Sequence, residues 1–97
     1  MENPPLTPEL FSLQDRVVVL TGGAGLYGRG LAAQLAEAGA TLVLASRDTE
    51  ALDAVCAEER ERGYAVTAEF LDLEDPASIE ALHDVVLEEH GRIDGLV

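Results

Sequence analysis

Residues Val17-Val18-Val19-Leu20 run directly into Thr21-Gly22-Gly23-Ala24-Gly25-Leu26-Tyr27-Gly28, and an Ala/Leu-rich stretch follows. This junction constrains the fold more than any other part of the chain. An unbroken β-branched and aliphatic run, without polar alternation, suits a strand of a parallel sheet buried on both faces. The stretch after the glycines has helical spacing: Leu31 and Leu35 share one face, and Ala32, Ala33 and Ala36 permit close approach to a sheet. Glycines between such a strand and such a helix allow a tight turn. They also let a ligand approach the free N–H groups and partial positive charge of the helix N-terminus. Strand, glycine turn and helix start together form a phosphate cradle, which points to a nucleotide ligand.

The same alternation continues to the end of the chain. The first helix, from Leu26 or Tyr27, is expected to reach Ala38, with Gly39 as its C-cap, and Thr41 to Ala45 reads as a second strand. A second helix follows from Asp48 to Arg62, with Leu52, Val55 and Cys56 inward and Glu58, Glu59, Glu61 and Arg62 in solvent; Gly63 ends it. Ala65 to Leu71 is a less uniformly apolar strand, suited to a position nearer an edge. Asp75-Pro76 is a helix start, with a side-chain acceptor at the N-cap and a proline where no N–H is needed. Ile79, Leu82, Val85 and Val86 form that helix's apolar face, Gly91 closes it, and Ile93 to Val97 begins a fourth strand. The pattern is βαβαβαβ, an α/β three-layer fold with a parallel sheet. Right-handed crossovers and a reversal after the third strand give the order 3-2-1-4, with the glycine turn at the switch point where open α/β sheets bind ligands. Two helices then cover one face and the third covers the other. The part of that second face over the first and fourth strands is left without a helix, so apolar surface is expected there.

Residues 1–14, which include Pro4, Pro5 and Pro8, read as an N-terminal arm, and residues 15–97 as the N-terminal part of a nucleotide-binding domain. A chain of 97 residues has room for one modest core. Its formal charge is −13, from 19 acidic residues against 6 basic ones, all arginine. Such a balance supplies no positive field for nucleic acid or for an anionic membrane surface. The lone Cys56 excludes an intrachain disulfide, suits a reducing and therefore cytoplasmic setting, and reads as a small apolar filler. No stretch approaches the roughly 18 apolar residues of a membrane span, and the N-terminus lacks the basic and apolar regions of a secretory signal. His83 and His90, near Glu88 and Glu89, read as solvated helix residues rather than as a metal site.

Thr21-Gly22 with Gly28, the segment Leu44-Ala45-Ser46-Arg47, the segment Leu71-Asp72-Leu73, and Gly91-Arg92-Ile93-Asp94-Gly95-Leu96-Val97 together resemble the short-chain dehydrogenase/reductase family. The resemblance covers nearly everything after Leu10 and implies a Rossmann-type fold. The family's usual turn places glycine at 26, whereas this chain has Leu26 and a glycine at 25. The spacing of Thr21, Gly22, Gly25 and Gly28 fits the family's extended branch, while Ile93 to Val97 fits its usual branch. The chain reads as a member of the usual type with a variant glycine loop.

The resemblance implies that Thr21, Gly22, Gly25, Leu26, Tyr27 and Gly28 surround the pyrophosphate of a nicotinamide dinucleotide. It places Ser46 where an NAD site carries an acid for the ribose hydroxyls. A hydroxyl beside the Arg47 guanidinium can instead take a 2'-phosphate, which favours NADP(H) over NAD(H). Asp48 next door can either cap the helix or reach the ribose, and Arg29 can either assist electrostatically or pair on the helix surface. Asp72 is expected to accept from the adenine amino group, with Leu73 flanking the ring.

As a parent protein, the resemblance implies hydride transfer between nicotinamide and an alcohol or carbonyl substrate, and assembly as a homo-oligomer. The tyrosine, lysine and serine of that chemistry cannot be assigned here. Tyr64 is followed at the fourth position by Ala68, position 31 is Leu31, and the chain holds no lysine. The 97 residues alone are therefore expected to supply only the adenosine and pyrophosphate half of the site. The alternative is a catalytically inactive nucleotide-binding module that needs a partner or further chain.

Overall fold

The computed structural model describes residues 12–22 and 26–97, except for the side chains of residues 26 and 27. Most of the expected arm, and Gly25 with it, lies outside the described residues. The elements are β1 (Val17–Thr21), α1 (Leu26–Glu37), β2 (Thr41–Ser46), α2 (Thr49–Glu61), β3 (Val66–Phe70), α3 (Pro76–His90) and β4 (Gly95–Leu96). The strands are parallel in the order β3-β2-β1-β4, as expected from the alternation.

Register explains how the core divides. Val18 pairs with Leu42 and Leu42 with Val66, so these side chains share one face; Val19, Val43 and Thr67 occupy the other. On the first face, Val18, Leu20, Leu42, Leu44 and Val66 pack against Ala32 and Ala36 of α1 and Leu52, Val55 and Cys56 of α2. On the second, Val17, Val19, Val43 and Ala45 pack with Leu71 and with Leu82 and Val86 of α3. Both faces of β1 and β2 are thus buried, which is why their sequences show no alternation.

The helix ends follow local chemistry. Asp48 accepts from the Ala51 N–H at 3.1 Å, and Asp75 accepts from the Ala77 N–H at 3.1 Å with Pro76 behind it. Gly39 has φ +103°, and a Cβ there would lie 3.2 Å from the Gln14 backbone nitrogen. The turn after α1 is held by the Leu13 N–H donating to the Ala38 carbonyl at 2.7 Å.

The structure differs from the sequence reading in three places. Glu59, expected in solvent, is buried, because it lies seven positions beyond Leu52 and four beyond Val55 on the inward face of α2. Its Oε1 is 3.5 Å from Arg62 Nη1, while Oε2 has no hydrogen-bond partner among the described residues. Ile79 lies on the apolar face of α3 as expected, lining an open groove with Leu82 and Val86. The second difference is His90, read as a solvated helix residue: its side chain is 19% exposed and its Nε2 is buried with no hydrogen-bond partner among the described residues. The β4 strand is shorter than Ile93 to Val97, although ladder bonds run beyond it: Asp94 N–H to the Val17 carbonyl at 2.8 Å and Val97 N–H to the Val19 carbonyl at 2.9 Å.

The edge strand β3 is partly blunted. The Ala65 carbonyl accepts from the Leu42 N–H, so the next carbonyl, that of Val66, faces away from β2. Arg60 Nε of α2 donates to it at 2.8 Å. At the other side of the sheet, a groove of about 400 Å³ lies between α3 and the β1–β4 pair, lined by residues including Val19, Leu71, Ile79, Val86, Leu96 and Val97. This is the uncovered apolar surface expected from the topology, and Leu96 is 72% exposed within it.

Candidate nucleotide site

The carboxyl ends of β1, β2 and β3 converge on one cleft of about 420 Å³, lined by Thr21, Gly22, Ala45, Ser46, Arg47, Asp48, Leu71, Asp72, Leu73 and Glu74. Backbone bonds hold these strand ends together. The Gly22 N–H donates to the Ala45 carbonyl at 3.1 Å, and the Leu71 N–H to the Ser46 carbonyl at 3.1 Å. Six of the expected site residues, Thr21, Gly22, Ser46, Arg47, Asp72 and Leu73, therefore share one wall system although they come from three separate loops.

Gly22 adopts φ +71°, and among the described residues no atom beyond its chain neighbours lies within 4 Å of the position a Cβ would take. Bare backbone of this kind is what close approach by a phosphate requires. Leu26 and Tyr27 form the first turn of α1, and Gly28 is buried within it. The Thr21 hydroxyl is engaged within the fold: it donates to the Val97 carbonyl at 2.8 Å, and the Thr21 N–H reaches the same oxygen at 2.8 Å. These two bonds tie Val97 to the end of β1.

At the second loop, Ser46 Oγ accepts from the Asp48 N–H at 3.1 Å. Asp48 caps α2 through Oδ1 and also lines the cleft. The Arg47 side chain is exposed at the cleft and forms no ion pair among the described residues. Arg29 pairs with Glu58 of α2 at 3.8 Å on the helix surface.

The third loop is the most tightly built. Asp72 Oδ1 accepts from the Glu74 N–H at 3.0 Å, and Leu73 stands 70% exposed beside it. Beneath them lies Ser78, a buried residue of α3 that the sequence reading did not single out. Its Oγ accepts from the Asp72 N–H at 3.0 Å, and its proton lies within reach of the Asp72 carbonyl at 2.7 Å and the Asp75 carbonyl at 2.9 Å. Helical spacing was the available signal, because Ser78, Leu82 and Val86 recur every four residues and all are buried.

A model of the short chain dehydrogenase family matches residues 16–97. The chain belongs to that family. Among curated short-chain dehydrogenase relatives, 1-deoxy-11-beta-hydroxypentalenate dehydrogenase of Streptomyces exfoliatus is 44% identical over 82 residues, which is 84% of this chain and 30% of that protein. Among solved structures, a metagenomic short-chain oxidoreductase in complex with NADP superposes with a TM-score of 0.81 at 36% identity, over 86% of this chain and 38% of the other. A short-chain dehydrogenase/reductase from Burkholderia phymatum in complex with NAD gives a TM-score of 0.82 at 34% identity, over 89% and 31% of the two chains. The chain thus spans about a third of the length of the relatives it matches. Among the described residues, no helix is long and apolar enough to cross a membrane.

Proposed function

We propose that this chain is the adenosine- and pyrophosphate-binding part of a nicotinamide-dependent oxidoreductase acting on an alcohol or carbonyl substrate. The observation that carries the reading is the convergence of Gly22, Ser46, Arg47 and Asp72 on one cleft at the carboxyl ends of the strands. The cleft fits the cofactor on its own chemistry. Gly22 offers bare backbone that faces no atom of the described residues within 4 Å of its would-be Cβ, Asp72 offers a carboxylate acceptor, and Arg47 offers an exposed guanidinium. When bound, the nicotinamide supplies the hydride carrier. This chain's residues bind and orient the other end of the dinucleotide. The buried, unpaired Cys56 fits a reducing cytoplasmic setting.

Within that reading, NADP(H) is the preferred cofactor. Position 46 carries Ser46 rather than an acid, and Arg47 is exposed at the same lip, ready to meet a 2'-phosphate with a planar donor fork. Titration of the native full-length protein with NADPH and NADH tests this. A charge-assisted contact predicts that Arg47→Ala weakens NADPH binding by about 10- to 100-fold while leaving NADH binding nearly unchanged. Equal losses for the two cofactors, or none, overturn the assignment. An intact mass for the native protein equal to that of these 97 residues would overturn the oxidoreductase reading and leave a nucleotide-binding module.

A further inference from the structure

We infer that Ser78 is a positioning residue for cofactor selection, acting through Asp72. This rests on the reading of Asp72 as the acceptor for the adenine amino group. Three features single Ser78 out. It is a polar side chain 8% exposed on an otherwise apolar helix face, between α3 and the end of β3. Its hydroxyl meets both backbone polar groups of one residue, the N–H and the carbonyl of Asp72. That residue's carboxylate lines the cleft and is itself oriented by the Glu74 N–H.

A hydroxyl carries one donor proton and accepts in two directions, so a single Ser78 can clamp the peptide units on both sides of the Asp72 Cα. With both held, rotation about the Asp72 backbone is blocked and its carboxylate is aimed from a fixed base. The Asp75 carbonyl, at 2.9 Å, competes for the same proton, and the contact to the Asp72 carbonyl is the shorter; the start of α3 is tied to Asp72 through the Asp75 N–H, which donates to the Asp72 carbonyl at 3.0 Å. The loop that reads the base is therefore indexed to a packed helix rather than to solvent. Substituting Ser78 removes the holder of the Asp72 N–H and one of two holders of its carbonyl, which also accepts from the Asp75 N–H at 3.0 Å, so the carboxylate keeps its chemistry but loses part of its fixed base. The consequence is a loss of discrimination at the base, distinct from a general loss of binding.

The experiment compares, in the full-length protein, the affinity for the better bound of NADPH and NADH with that for its hypoxanthine counterpart, in which the adenine amino group is replaced by a carbonyl. A charged acceptor makes the unaltered protein prefer the adenine form by about 10-fold or more. Asp72→Ala abolishes that preference. Ser78→Ala is expected to reduce it to within about 3-fold with Asp72 still present, and Ser78→Cys, nearly equal in volume but a poor hydrogen-bonding group, is expected to do the same. The cysteine variant covers the case in which the alanine variant folds poorly. If either folded Ser78 variant keeps the full preference while Asp72→Ala loses it, the role of Ser78 is overturned and the reading of Asp72 stands. If Asp72→Ala keeps the preference, the reading of Asp72 falls, and the role of Ser78 with it.

Discussion

Gly22 and Gly39 show how the same residue type serves two ends. Both have left-handed backbone, but a Cβ at Gly39 would press on the Gln14 backbone at 3.2 Å, whereas one at Gly22 would meet no atom of the described residues within 4 Å. Gly39→Ala is therefore expected to lower stability by about 1–3 kcal/mol, through the left-handed penalty and the displaced Leu13–Gln14 turn, measured by chemical denaturation. Gly22→Ala is expected to lower stability by only about 1–2 kcal/mol. Its larger effect is on nucleotide affinity, because the methyl occupies the space into which the backbone opens. Isothermal titration beside the denaturation series separates these effects; equal behaviour of the two variants in both measurements would contradict the distinction.

At the scale of elements, two features set how stability responds to substitution and pH. Glu59 occupies an inward position of α2 with one oxygen unpartnered, so Glu59→Met is expected to raise stability by about 1–2 kcal/mol, read from the denaturation midpoint. The start of β4 is clamped to β1 by Asp94, which accepts from Arg92 Nη2 at 2.6 Å and from the Val17 N–H at 2.8 Å, with Arg16 3.6 Å away. The Arg92 hydrogen bond, the Val17 N–H and the two guanidinium charges hold the Asp94 carboxyl below the usual carboxylate range. Its folded pKa lies below its unfolded one. The stabilisation is therefore complete above the ordinary aspartate range and is lost as pH falls through the depressed folded value. Asp94→Asn should flatten that acid limb of the stability curve and lower the plateau at neutral pH. Glu69 has the opposite sign: burial first, then the Glu89 charge, push its carboxyl up, against a smaller opposing pull from His90. Its ionised form weakens the fold at neutral pH, so Glu69→Gln is expected to stabilise there and to lose that advantage as the medium is acidified.

For the molecule as a whole, charge and the open groove dominate. A net charge of −13 on 97 residues makes self-repulsion a standing cost. Four of the six arginines lie within 4 Å of a carboxylate through the pairs Arg16–Asp94, Arg29–Glu58, Arg62–Glu59 and Arg92–Asp94, which still leaves a large acidic excess. Raising salt from about 0.02 to 0.3 M shortens the screening length several-fold, so the melting temperature is expected to rise over that range; a fall would show that these four pairs outweigh the repulsion. The groove between α3 and the β1–β4 pair exposes Leu96, Val97 and Ile79 together. An uncharged dye for apolar surface such as Nile red should bind the 97-residue chain there, and Leu96→Gln should reduce the fluorescence without changing the circular dichroism.

Local patterns in the sequence determined the order and type of every element. Unbroken apolar runs mark strands buried on both faces, Asp48 and Asp75 announce helix starts, and the glycines after Thr21 mark the passage from strand to helix. Each depends on neighbours a few residues apart. The parallel order followed from the handedness of crossovers, and the bare second face followed from that order. Tertiary structure decided the rest. Asp94 reaches Val17 across 77 positions, and the Thr21 hydroxyl reaches Val97 across 76. Arg60 lies over the edge carbonyl of Val66, and Ser78 under the backbone of Asp72. Glu59 reads as solvated from its polarity and Ser78 does not stand out, although helical spacing puts both in line with buried residues; the packed partners show what surrounds them. A periodic pattern tells which side of an element turns inward. The particular groups that meet there depend on how crossovers bring distant strand ends and helix starts together, and those distances are set by packing.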